Sequence, residues 1–180
     1  PGSDGNRRTW TWSAWVRRQK LALAYMFMYN DASANGENIQ FDSSNRLQYY
    51  VIVGGGYQIN YISNRTFEDK SKWYHIVVRK DTTQSTAANR VRIYVDGTQL
   101  TSFATETQPS QNDQGFINQS GKQNDIGNFS NSGVSDEAVG YMAEVNLADG
   151  QSYGPDTFGI TDTTSGLWIP KSLTGITYGT

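Results

Sequence analysis

Few residues in this sequence can do chemistry, and their spacing limits what that chemistry is. Cleaving a glycosidic bond takes two carboxylates facing each other across it, about 5 Å apart for retention and wider for inversion. On a β-strand, residues i and i+2 share a face at about 6.6 Å. Glu144-Val145-Asn146 is the comparable place here, and its second member is an amide, which serves neither as nucleophile nor as base. Nothing acidic follows until Asp149. Glu144 is therefore expected to face solvent from a strand, or to bond within the sheet, rather than to catalyse. His75 is the sole histidine, and no serine near it stands in a nucleophile-elbow sequence. A zinc centre would need several His or Cys ligands, and the chain has no cysteine. That absence also removes disulfides and thiol nucleophiles.

Holding a sugar asks for something different: an aromatic face against the ring C–H groups, beside amides and carboxylates that bond hydroxyls. Tyr25, Tyr29, Tyr49, Tyr50, Tyr57 and Tyr61 supply aromatics, most of them expected within sheets because aromatic residues favour strands whatever they bind. Tyr29 and Tyr57 lie nearest to loop tips, and with Asn124, Asp125 and Asn128 they form the predicted glycan-binding rim. The competing reading is that these residues only pack and make turns.

The elements that must position them are strands. In TWTWSAWVR, Trp10, Trp12, Ala14 and Val16 share one face and Thr9, Thr11, Ser13 and Arg17 lie mostly on the other, which is the period of a strand. LALAYMFMY alternates Leu21, Leu23, Tyr25, Phe27 and Tyr29 against Ala22, Ala24, Met26 and Met28, and reads as a strand buried on both faces. Short strands follow around Ile39 to Phe41 and Leu47 to Val53, then Gly54-Gly55-Gly56 reads as a hairpin turn into Tyr57–Ile62. A phosphate-cradling loop would need a helix there instead. Trp73 to Lys80 is another strand, and Asp96-Gly97 marks a tight hairpin after RVRIYV. Residues 101–135 are nearly all polar and read as rim loops. VGYMAEVNLADG alternates again, with Val139, Tyr141, Ala143, Val145 and Leu147 expected on the buried face and Met142, Glu144 and Asn146 on the other. Residues 151–180, punctuated by Pro155 and Pro170, are expected to wrap over the sheets through Phe158, Leu167, Trp168 and Ile169. Many short strands separated by turns, without an amphipathic helix, predict an all-β sandwich or barrel.

At 180 residues the chain can bury a core as one domain, placed here at 9–180, with 1–8 as a leader that has in part the look of an expression scar. The abrupt stop at Tyr178-Gly179-Thr180 reads as a segment cut from something larger. A net charge of −2, with basic residues scattered rather than clustered, argues against nucleic acid and anionic membranes as partners. Insertion into a membrane is not expected either, because no run approaches the roughly 20 apolar residues of a spanning helix.

The succession WTWSAWVRR, KWYHIVVRKD, RVRIYVDGTQL, DIGNF and VGYMAEVNLADG resembles the laminin G-like, concanavalin A-like superfamily. The stretches YMAEVNLADGQSYGPDTFG and GLWIPKSLTG are similar, more narrowly, to domains of bacteriophage structural and tail proteins, especially marine ones. The resemblance implies a two-sheet antiparallel jelly roll with His75 as a packing residue. It implies a non-catalytic binding or structural module of a phage virion (tail, fibre or capsid), located on the virion or extracellular. Such a module contacts host-surface glycans or neighbouring virion subunits, or acts purely as structural cement. The alternatives are a secreted glycoside hydrolase, for which the family's Glu-x-Asp-x-x-Glu signature is missing, and a calcium-dependent lectin. Calcium takes hard oxygen ligands at the sandwich rim of such folds. The candidate ligands are Asp31, Asp113, Asp125 and Asp136, with Asn35, Asn124, Asn128 and Glu137 as neighbouring oxygens.

Overall fold

The computed structural model describes residues 2–31, 33–127 and 140–179. Its strands are β1 (Thr9–Arg18), β2 (Ala24–Asn30), β3 (Gly36–Phe41), β4 (Arg46–Val53), β5 (Gly56–Thr66), β6 (Tyr74–Asp81), β7 (Val91–Val95), β8 (Thr98–Gln99), β9 (Phe103–Thr107), β10 (Asp125–Ile126), β11 (Gly140–Asp149), β12 (Gly159–Thr161) and β13 (Trp168–Pro170). They form an antiparallel five-stranded sheet of order β11-β1-β6-β7-β8, an antiparallel six-stranded sheet of order β10-β2-β3-β4-β5-β9, and a small hairpin of β12 and β13. The two large sheets stack as a sandwich, the architecture that the alternating sequence predicts.

Trp10, Trp12, Ala14 and Val16 point from β1 into the space between the sheets. There Trp10 meets Tyr49 edge-on at 5.8 Å and Trp12 stacks on Phe27 at 6.3 Å. Ile39, Phe41, Leu47, Val51 and Ile59 complete the layer from the facing sheet. One ion pair is buried with them. Lys80 Nζ lies 3.0 Å from Glu37 Oε1, and both side chains are wholly inaccessible. Tyr49 donates its hydroxyl proton to the same oxygen at 2.7 Å, and the Ile117 amide donates to Oε2 at 2.8 Å. Glu37 thereby ties the loop around Phe116-Ile117 to the sandwich, and Gly115 leaves no room for a Cβ, which would stand 2.0 Å from Glu37 Oε2.

The five-stranded sheet is covered on its outer face too. Tyr153, Phe158, Leu173 and Ile176 pack on Val77 and Tyr94, and Thr11 exchanges hydrogen bonds with the Gln151 carbonyl and the Tyr153 amide, each 2.8 Å. This cover is why the polar residues Thr11, Ser13 and His75 are buried on a face that alternation alone would give to solvent.

Two strands depart from simple alternation. On β2 the register slips between Tyr25 and Phe27, so that Met26 and Phe27 both enter the core while Tyr25 and Met28 stay outside it. The strand begins only at Ala24, and Leu21 is exposed. On β11 the step from Ser13 to Trp15 is matched by three residues, Asn146 to Ala143, so Glu144 and Val145 together oppose Ala14. Glu144 takes φ +50°, the left-handed conformation that lets a bulge absorb its extra residue. The consequence is a phase change: Met142 and Leu147 both pack on the core, whereas Tyr141, Ala143 and Val145 turn outward. The expectation that these last three share the buried face with Leu147 is thereby corrected.

Candidate functional site

Outward turning of β11 opens a cleft on the outer face of the five-stranded sheet. It holds about 310 Å³ and is lined by Trp15, Trp73, Ala143, Glu144, Trp168, Ile169 and Pro170. Trp15 gets there by phase: on β1 it is odd-numbered like Ser13, and so faces away from Trp10 and Trp12. Its register partner on β6 is His75, and the two rings stack at 4.8 Å. His75 in turn stacks on Trp168 at 6.0 Å.

Hydrogen bonds fix this column. Trp168 Nε1 donates to His75 Nδ1 at 2.9 Å, and an indole nitrogen can only donate. The imidazole proton therefore sits on Nε2, which donates to Ser13 Oγ at 2.9 Å. The His75 backbone amide donates to Asp96 Oδ1 at 2.9 Å, and Asp96 Oδ2 pairs with Lys72 Nζ at 2.9 Å. Burial pushes the imidazole pKa down to about 4, against a smaller upward pull from Asp96, so the ring is neutral at neutral pH. Both of its nitrogens are engaged and neither offers a free lone pair.

Trp168 is also gripped by backbone. A Cβ on Gly97 would come within 2.8 Å of the indole, and one on Gly159 within 2.5 Å. Gly97 has a second reason to be glycine, because with Asp96 it forms the β7–β8 turn at φ +79°. Opposite this fixed ring, Trp73 leans on Tyr141 at 6.4 Å and is 37% exposed. Glu144, exposed on the bulge, is one of the lining residues, and its side chain has no hydrogen-bond or ion-pair partner among the described residues. The bulge is braced by Asn146, whose Nδ2 donates to the Glu144 carbonyl at 2.7 Å and whose Oδ1 accepts from the Tyr178 hydroxyl at 2.8 Å.

The predicted rim residues do not assemble into one site. Tyr29 is only 2% exposed, stacked on Phe116, with its hydroxyl donated to Asp31; it presents no free face, which corrects its assignment as a sugar platform. Asn124 and Asp125 are near it, since β10 pairs with β2 and Asp125 lies opposite Met28. Tyr57 is exposed and rests edge-on against Tyr50, but β5 is four strand positions from β10, about 19 Å away. Tyr50 lines a separate hollow of about 270 Å³ with Tyr25, Asp31 and Asn35. Asn128 and Asp136, like Glu137, lie outside the described residues.

Of the predicted calcium ligands, Asp31 is occupied by its own turn. Burial works to raise its pKa, but hydrogen bonds from Asn35, Tyr29 and the Asn35 and Ser33 amides outweigh it and hold the carboxyl at about 2. Asp113 is pushed up by burial against the pull of Lys80, and Asp125 accepts a hydrogen bond from Gln123 at 2.6 Å. Among the described residues no three His, Cys, Asp or Glu side chains gather as a metal site.

Two antiparallel sheets stacked face to face place the chain among the β-sandwich proteins. The chain belongs to the concanavalin A-like lectin/glucanases superfamily, whose family model matches residues 1–151. A heptameric SAP-like pentraxin from Limulus polyphemus is similar in structure with a TM-score of 0.57 at 14% identity, over 98% of this chain and 86% of that one. Domains LG4-5 of the mouse laminin alpha1 chain give a TM-score of 0.50 at 13% identity, over 96% of this chain and 43% of that one. At such identities the likeness is one of fold. No curated protein sequence matches the chain. The family match ends before Trp168, Ile169 and Pro170, so the segment that closes the cleft lies beyond it.

Proposed function

We propose that this chain is a non-catalytic binding module that holds carbohydrate in the tryptophan cleft, and that it works on a phage particle, on tail, fibre or capsid, facing host-surface glycan. The observation that carries this reading is the convergence of Trp15, Trp73 and Trp168 around one open cleft, two of them fixed by the His75 column. Large rigid aromatics bury the apolar face of a sugar ring at little entropic cost. The phage setting rests on the resemblance of residues 141–159 and 166–175 to phage domains, and these stretches contribute Ala143, Glu144, Trp168, Ile169 and Pro170 to the cleft. The non-catalytic part rests on chemistry. Glu144 has an amide two residues on where a second carboxylate would be needed, and His75 has no lone pair with which to take a proton from Ser13.

A glycan array probed with the protein and with Trp73→Ala tests the reading, with bound oligosaccharide recovered and weighed by mass spectrometry. Expected are hits that weaken about tenfold or more in the variant, as loss of an aromatic anchor does, and ligand recovered uncleaved. An empty array, or hits indifferent to Trp73, would overturn the glycan site, and cleaved ligand would overturn the non-catalytic role.

A further inference from the structure

Within that glycan-binding reading, on which this inference rests, the geometry points to a more particular ligand: a sugar bearing a free ammonium group, such as an unacetylated glucosamine residue. Three features of the cleft carry it. Among the described residues that line the cleft, every side chain apart from Glu144 is aromatic or aliphatic, so the one charge they bring is negative and no described Lys or Arg is there to neutralise it. The exposed Glu144 carboxylate has no hydrogen-bond or ion-pair partner among the described residues, so it is open to a ligand. The backbone that presents it lies in the left-handed region, which a glutamate seldom adopts, and is held there by the Asn146 and Tyr178 brace.

Tryptophan faces attract cations through the ring quadrupole, and an ammonium can rest on them while donating to a carboxylate at the wall. A uronate or sulfated sugar brings a negative charge toward Glu144. A neutral sugar meets a single polar side chain, and its remaining hydroxyls stay with solvent. An amino sugar is the class that uses the π-faces, the apolar walls and the lone carboxylate together. The volume, at the small end for ligand pockets of about 300–1,000 Å³, suits a chain end of one or two rings.

The test compares a short β-1,4-glucosamine oligomer with its fully N-acetylated counterpart by titration calorimetry at mildly acidic pH, on the protein and on Glu144→Gln and Trp73→Ala. The expected result is that the amine form binds about tenfold more tightly than the acetylated one. Glu144→Gln, isosteric and uncharged, should abolish that preference with the melting temperature unchanged, and Trp73→Ala should weaken both ligands. Equal binding of the two oligomers, or a preference that survives Glu144→Gln, overturns the ammonium assignment and leaves the glycan reading standing. Failure of both oligomers beside a positive array also overturns the assignment. Failure beside an empty array removes the glycan reading with it.

Discussion

Acidification from neutral pH should loosen this protein because of His75. The imidazole has an ordinary pKa of 6.5, which burial lowers to about 4 in the folded chain. Between those values the unfolded chain takes up a proton that the folded chain refuses. Stability is therefore fully present above the unfolded value and is lost as the pH falls toward the folded one. The slope approaches about 1.4 kcal/mol per pH unit, and integrating from about pH 8 to pH 5 gives a loss of about 2 kcal/mol. For a domain of this size that corresponds to a melting temperature lower by about 4–8 °C.

Asp31, held at about 2, gives up its contribution only as the pH falls from its ordinary value of 3.8. Asp113 is pushed up by burial and so favours the folded form as it protonates, which opposes the His75 effect at the acid end. Urea unfolding from pH 8 to pH 5, on the protein and on His75→Gln, reads the effect. The variant should be less stable at pH 8, since Trp168 and Ser13 lose their partner, but nearly flat with pH. A flat wild-type curve, or an undiminished slope in the variant, would refute a buried neutral imidazole.

Two further outcomes can be measured on the same footing. Lys80→Met leaves Glu37 buried without its cation and should cost about 3–5 kcal/mol by urea unfolding, while Lys80→Met with Glu37→Gln should regain most of it. Gly97→Ala drives a Cβ to 2.8 Å from Trp168 at φ +79° and should cost about 1–3 kcal/mol and weaken binding in the cleft; Gly54→Ala, also at positive φ but with nothing nearby, should cost only about 1 kcal/mol and leave binding alone.

The sandwich was legible because alternation is a direct consequence of one face being buried, as with Trp10, Trp12, Ala14 and Val16. The cleft was not, for three separate physical reasons. Trp15 is out of phase with those tryptophans, a signal present in the sequence but overshadowed by the run's general hydrophobicity. Trp168 sits in a tail without periodicity and is placed by two glycines and a histidine distant in sequence, a coincidence of tertiary structure. The β11 bulge inserts one residue and leaves no gap in the pattern, so the strand looks regular while its faces exchange halfway. Glu37 and Lys80 were hidden by their charge. Each is in phase with inward residues, Glu37 with Ile39 and Phe41 and Lys80 with Ile76 and Val78, yet a buried charge is credible only once its partner is known.

The same extra residue that misleads the sequence reading builds the site. Were β11 regular with Leu147 inside, Tyr141 and Ala143 would also face the core and Met142 would stand outside. With the bulge, Ala143 instead lies opposite Trp15, small enough to leave space beside the indole, and Tyr141 becomes the support for Trp73. Asn146 holds this arrangement by donating to the Glu144 carbonyl, a bond that an aspartate, having no proton to give at neutral pH, could not make. The amide that breaks the pattern of a carboxylate pair is thus required by the backbone geometry that forms the cleft. In this chain, gaining a second acid on that strand and keeping the bulge that opens the pocket are opposing demands on one side chain.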